Sequence, residues 1–206
     1  MKAQDILKIN PVIAVIAVNE GDDYLSLAKA LLDGGVRVLE ITLRSNIALK
    51  AIEEISKHCT NAVVGAGTIT NAKDLQKVKD LGVSFAISPG LNVKFLEEAS
   101  KIDVNLIPGI ASAGELMLGM EYNLNTFKLF PAQAIGGVNL LKSFSGPFKD
   151  VKFCPTGGIN QNNAKDYLAL DNVLCVGGSW ICDKKLIQEK NWNEITKLAE
   201  QSTKLR

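Results

Sequence analysis

Histidine is almost absent from this 206-residue chain, with His58 the one example. That excludes a zinc site built from several imidazoles, and any Ser-His or Cys-His nucleophile that does not use His58. His58 lies beside Cys59 at the end of a charged helical segment, where it reads as solvated surface. The four cysteines, Cys59, Cys154, Cys175 and Cys182, form no C-x-x-C pair. A chain of this length does not need disulfide staples, so they read as reduced, with Cys154 and Cys175 as small core residues in strands. Neither sign of charge is in excess: 23 basic and 22 acidic residues are mixed along the chain. There is no basic stripe for nucleic acid and no polybasic segment for a membrane surface. The longest apolar stretch, Pro11 to Val18, is far too short to span a bilayer. The first residues lack the long apolar segment and cleavage site of a signal peptide, and the expectation is a cytoplasmic protein.

What the chain does have is a regular alternation of short apolar runs with 3.6-residue periodicity, punctuated by Gly, Asn and Pro. After an amphipathic opening from Gln4 to Ile9, strands are expected at Val12–Val18, Val36–Leu43, Ala62–Gly67, Ser84–Ile87, Val104–Ile107, Thr126–Phe130, Lys152–Cys154 and Asn172–Val176. Helices are expected at Asp22–Leu32, Ile47–His58 (capped by Ser45-Asn46), Ala72–Leu81 (capped by Asn71 or Thr70), Val93–Lys101, Ala113–Tyr122, Val138–Phe144, near Asn163–Leu168, and at Asn193–Ser202. Eight β–α units in about 200 residues match the count and the lower size limit of a (β/α)8 barrel, whereas a doubly wound open sheet more often stops at five or six strands. The expected fold class is α/β, a (β/α)8 TIM barrel formed by one domain over residues 1–206 with a short N-terminal helix.

Such a barrel carries its chemistry at the C-terminal ends of its strands. In the second strand, alternation puts Val38, Glu40, Thr42 and Arg44 on one face, against Leu39, Ile41 and Leu43 on the other. The apolar face must meet helices, so Glu40, Thr42 and Arg44 point inward. Val64, Ala66 and Thr68 share a face of the third strand, Thr126, Lys128 and Phe130 one of the sixth, and Lys152, Cys154 and Thr156 one of the seventh. Taken alone, Lys128 in its apolar run reads as an edge-strand or snorkelling lysine. Brought into one enclosed space with Glu40 and Arg44, it reads as catalytic, because a desolvated amine is a nucleophile toward carbonyls. Pro155-Thr156-Gly157-Gly158-Ile159 and Gly177-Gly178-Ser179-Trp180 follow the seventh and eighth strands. Paired glycines at these two ends let backbone N–H groups approach a phosphate, and the serine hydroxyl adds a donor.

The motifs Glu40-Ile41-Thr42-Leu43-Arg44, Gly65-Ala66-Gly67-Thr68, Ser88-Pro89-Gly90, Ile107-Pro108-Gly109-Ile110, Lys128-Leu129-Phe130-Pro131-Ala132, Phe153 to Ile159 and Gly177 to Trp180 occur in order. Together they resemble the 2-keto-3-deoxy-6-phosphogluconate (KDPG) aldolase family, which also includes 4-hydroxy-2-oxoglutarate (KHG) aldolases. The resemblance implies a class I aldolase that needs no cofactor and no metal. It implies a phosphorylated 2-keto-3-deoxy sugar acid and pyruvate as small-molecule partners, and a homotrimer. By the same resemblance, Lys128 is the Schiff-base lysine and Glu40 the general acid/base. Arg44 and Thr68 hold the carboxylate, with Pro89 and Phe130 lining the site. Gly157, Gly158 and Ser179 contact the phosphate, Thr156 borders them, and Gly178 is a further substrate-binding residue. Asn19 stands where relatives commonly carry Lys or Arg, and Gln133 where many carry Glu. Two other readings fit the phosphate loops alone: a phosphosugar isomerase or synthase on a similar barrel, and a non-catalytic phosphosugar-binding protein.

Overall fold

The structure, a computed structural model, describes residues 1–206. Eight parallel strands curl into a barrel. They are Val12–Ile16, Val38–Thr42, Val63–Gly67, Phe85–Ile87, a fifth in two pieces (Leu106–Ile107 and Gly109–Ile110), Thr126–Leu129, Lys152–Pro155 and Val176–Gly178. One hydrogen-bonded sheet runs from the first piece of the fifth strand through the fourth, third, second and first to the eighth; the other joins the second piece of the fifth strand to the sixth and seventh. The interruption falls at Pro108, which has no N–H to continue the ladder, although its carbonyl still accepts from the Lys128 N–H at 2.9 Å. Between the seventh and eighth strands the barrel closes through the isolated bridges Phe153–Val173 and Thr156–Gly177.

Alternation along the strands produces two cores. Leu39, Ile41, Val64, Ala66, Phe127, Leu129 and Phe153 face outward into a large cluster shared with the surrounding helices. Val38, Val63, Phe85 and Cys154 face inward in a small cluster that fills the barrel. The short helix Ala3–Leu7 closes this inner core by burying Ile6 and Leu7 completely. It is tied to the N-terminal ends of the strands, where Gln4 Nε2 donates to Asn125 Oδ1 and Asn105 Nδ2 donates to the Met1 carbonyl. The opposite, C-terminal end is therefore the open one.

Helices Ala48–His58, Ala72–Asp80, Val93–Ala99 and Ala113–Glu121 start and stop within a few residues of expectation. Asn71, Asn92 and Ser112 cap the last three by accepting the N–H three residues on. The Ser45-Asn46 cap is not formed. The chain is already helical in its dihedrals at Ile47, and the Ser45 carbonyl, not its side chain, accepts the Ala48 N–H. The eighth strand is displaced from Asn172–Val176 to Val176–Gly178, so Gly177 and Gly178 lie in it and not in the loop beyond, and Cys175 precedes it. Its register with the first strand (Val12–Val176, Ile13–Gly177, Ala14–Gly178) fixes that position. A further short helix, Lys184–Gln188, has no counterpart in the sequence reading; Asp183 caps it. No helix is long and apolar enough to cross a membrane.

Candidate active site

Lys128 and Glu40 meet inside the barrel. They come from the sixth and second strands, and both sit on inward faces because Phe127, Leu129, Leu39 and Ile41 are committed to the outer core. Lys128 Nζ donates to Glu40 Oε1 at 3.3 Å, with 5% and 1% of the two residues exposed. Neither charge could be left alone at this depth, so each requires the other. Glu40 Oε2 is buried without a hydrogen-bond partner. The carboxylate lies over Gly67 on the neighbouring strand, where a Cβ would collide with Oε1. Gly67 thus makes room for the carboxylate, although in the sequence it stands out only as part of a motif. Its signal is the spacing of Gly65 and Gly67, two glycines on one strand face.

Above this pair stands a ring of groups at the mouth. Arg44 is exposed and makes no ion pair with Glu40; its Nε donates to Thr68 Oγ1 at 3.2 Å. Strand alternation would send Thr68 outward with Val64 and Ala66. Its left-handed backbone, φ 62°, takes it out of that pattern. The Phe130 ring is half-buried with its centroid 5.2 Å from Lys128 Nζ, which places a polarisable face beside the cation. Pro89 is half-buried after the fourth strand, and its carbonyl packs against Gly109, where no Cβ fits.

The Gly157-Gly158 loop lies beside the Gly177-Gly178 end of the eighth strand because Thr156 bridges to Gly177. Gly157 and Gly158 have φ of 102° and 74°, conformations open to glycine and strained for other residues. The loop is fixed from behind, where Gln133 N–H donates to the Gly157 carbonyl at 3.0 Å and Gln133 Oε1 accepts from the Tyr167 hydroxyl at 2.7 Å. Thr156 Oγ1 is buried without a partner and occupies the space a Gly177 side chain would fill. Gly178 leaves room for the Trp180 ring, and Ser179 beyond it is exposed. Glu40 Oε2 and Thr156 Oγ1 are thus two interior polar atoms still able to bond a bound molecule.

The arrangement offers an amine nucleophile, a carboxylate for proton transfer, a guanidinium at the rim and an N–H-rich loop pair. The cysteines add nothing to this set. All four are buried thiols. Burial pushes the Cys182 thiol up, and burial together with the adjoining Cys154 thiol pushes Cys175 well up, so neither supplies a thiolate. His58 is exposed at the end of its helix.

Residues 3–198 match the family model described as KDPG and KHG aldolase. The KHG/KDPG aldolase of Escherichia coli K12 is 49% identical over 200 residues, covering 97% of this chain and 94% of that protein. The KDPG aldolase of Legionella pneumophila, solved with pyruvate captured as a covalent carbinolamine intermediate, has 45% identity and a TM-score of 0.95, over 98% of both chains. The enzyme of Zymomonas mobilis ZM4, solved with 3-phosphoglycerate, has 40% identity and a TM-score of 0.94, over 100% of this chain and 97% of that one.

Proposed function

The chain belongs to the KDPG and KHG aldolase family, and from that premise we propose that it is a class I aldolase cleaving 2-keto-3-deoxy-6-phosphogluconate to pyruvate and glyceraldehyde 3-phosphate. Cleavage of 4-hydroxy-2-oxoglutarate to pyruvate and glyoxylate is the proposed second activity, by similarity to the Escherichia coli enzyme. The observation that carries the residue assignment is the buried contact of Lys128 Nζ with Glu40 Oε1 at 3.3 Å.

In this reading Lys128 passes a proton to Glu40, and its neutral amine attacks the 2-keto carbon. Glu40 moves protons between nitrogen and oxygen, so the carbinolamine loses water and leaves an iminium. A carbinolamine with pyruvate is the species captured in the Legionella pneumophila relative. Glu40 then takes the proton of the 4-hydroxyl. The bond between carbons three and four breaks, its electron pair flows into the iminium, and the aldehyde departs. The remaining enamine is protonated on carbon three, and water releases pyruvate and the free lysine. Arg44 pairs with the substrate carboxylate and Thr68 positions its guanidinium, a charge-assisted contact that fixes the keto carbon beside Lys128. Pro89 and Phe130 wall the site. The N–H groups of Gly157 and Gly158 with the hydroxyl of Ser179 receive the phosphate, Thr156 borders them, and Gly178 lets the chain approach the substrate closely.

The protein is proposed to act as one domain, in the cytoplasm, as a homotrimer. The exposed Val93, Met117 and Met120 on two successive outer helices support self-association. Borohydride reduction with pyruvate tests the covalent step. The expected result is one reduced pyruvyl adduct on Lys128 by peptide mass, absent from Lys128→Ala. An adduct that persists in that variant would remove Lys128 from its role.

A further inference from the structure

The residues assigned to the phosphate bring N–H and O–H donors but no positive charge. Phosphate of a sugar ester carries about −1.5 to −2 at neutral pH. Lys128 is paired with Glu40, and Arg44 stands beside Thr68. A cleft of about 340 Å³ opens at the mouth between the first and eighth strands, and its wall includes Val15, Asn19, Ser179, Trp180 and Lys184. Val15 is in register with Glu40, which puts one wall of the cleft on the strand next to the one that carries the carboxylate.

Lys184 is the one cation in that wall, and it makes none of the ion pairs of the molecule, all of which lie elsewhere. Two carboxylates share the cleft, and each has one oxygen engaged by N–H donors. Asp22 Oδ2 accepts from the Asn19 N–H at 2.7 Å and from Asn19 Nδ2 at 3.2 Å. Asp183 Oδ1 accepts from the Lys185 and Leu186 N–H groups at 2.9 and 3.1 Å. The link from Ser179 to Lys184 is held in place: Cys182 N–H donates to the Ser179 carbonyl at 3.0 Å, and Ile181 and Cys182 are buried. Asn19, by contrast, is neutral and turned back onto Asp22, so it brings no positive charge to the cleft.

We propose that Lys184 is the cation that holds the phosphate end of the phosphorylated substrate, acting with Ser179. This rests on the aldolase reading and adds to it the residue that discriminates phosphorylated from unphosphorylated substrates. An ammonium on a flexible four-carbon stem acts here as a point charge, and it closes over the ester after the glycine loops have received it. A shorter substrate such as 4-hydroxy-2-oxoglutarate has no group to reach it.

The test is steady-state kinetics of wild type, Lys184→Ala and Lys184→Arg on three substrates: KDPG, its unphosphorylated analogue 2-keto-3-deoxygluconate, and 4-hydroxy-2-oxoglutarate. The expected result for Lys184→Ala is a rise in the KM for KDPG of about tenfold, the scale of one charge-assisted hydrogen bond. Its kcat/KM ratio for KDPG over 4-hydroxy-2-oxoglutarate falls by the same factor, and Lys184→Arg recovers most of the loss. An unchanged ratio in Lys184→Ala overturns the proposal, and so does an equal loss on all three substrates. A wild-type chain inactive on all three overturns the aldolase reading first, and this inference with it.

Discussion

Glu40 holds its two carboxylate oxygens in different circumstances. Oε1 faces Lys128 Nζ, while Oε2 is buried with nothing to bond. Leaving a carboxylate oxygen unsatisfied at 1% exposure is costly, and in the proposed mechanism the cost is recovered when a substrate hydroxyl arrives. Glu40→Gln keeps the shape and the contact with the lysine but cannot carry a proton. Turnover should fall by about two to four powers of ten, the usual span of an acid/base contribution, while the fold is retained by circular dichroism. Turnover within threefold of wild type would remove Glu40 from proton transfer. Both members of this pair were legible in the sequence, because period-two alternation with an apolar outer face leaves an inner face no freedom. Thr68 was legible only as a motif member. Alternation carried past the end of the third strand puts it on the wrong side, and only a backbone at φ 62° brings it to Arg44. Single-residue departures of this kind have no signature in hydrophobic pattern.

The strands share a further device: interior side chains lie over glycines of the next strand. Phe85 packs over Gly65, the Glu40 carboxylate over Gly67, and Thr156 over Gly177. An eight-stranded barrel has an interior just wide enough for side chains to fill, so a large group on one strand requires none on its neighbour. Gly67→Ala places a methyl group where Glu40 Oε1 now lies. The expected outcome is a loss of kcat of at least about tenfold, from displacement of the carboxylate. A fall in stability of roughly 1–3 kcal/mol from overpacking should accompany it, measured by urea unfolding. Gly114→Ala is the contrast: Gly114 lies in the helix Ala113–Glu121 with open space around its Cβ, so the midpoint should hold or rise slightly. Equal effects at both sites would mean that the glycines of the barrel wall make no special room. This device also explains the misplaced eighth strand. Gly177-Gly178 carries the composition of a turn, yet Thr156 and Trp180 need the space the missing side chains leave, and pairing to the first strand draws the glycines into the sheet. Turn propensity was overridden by packing demands, one from the nearby Trp180 and one from Thr156 at the end of the preceding strand.

At the scale of the whole molecule, the proposed catalytic pair and the sealed floor lie toward opposite ends of one barrel. The eight-unit count was legible because each strand and helix announces itself locally, and a chain of alternating β and α units closes in few ways. The N-terminal segment was legible as a short helix, but not as a stopper. A helix of five residues has little stability of its own, and its role depends on an opening that exists only once the strands have closed. The division of labour makes a prediction. Ile6 and Leu7 are fully buried in the inner core, at the end tied to Asn105 and Asn125 and away from the Arg44–Thr68 rim. Leu7→Ala removes apolar volume from a closed space whose other walls are strands that cannot collapse inward. The cost should therefore approach the usual range for such truncations, about 2–5 kcal/mol, read as a lower urea midpoint at unchanged slope. Turnover per folded molecule, measured well below the unfolding transition, should stay within about twofold, since the Lys128–Glu40 contact is set by strands whose outer faces remain packed. A midpoint within experimental error of wild type would show that the helix does not seal the core. A large loss of turnover at full folding would show that the barrel floor and the catalytic pair are coupled and that the two ends do not work independently.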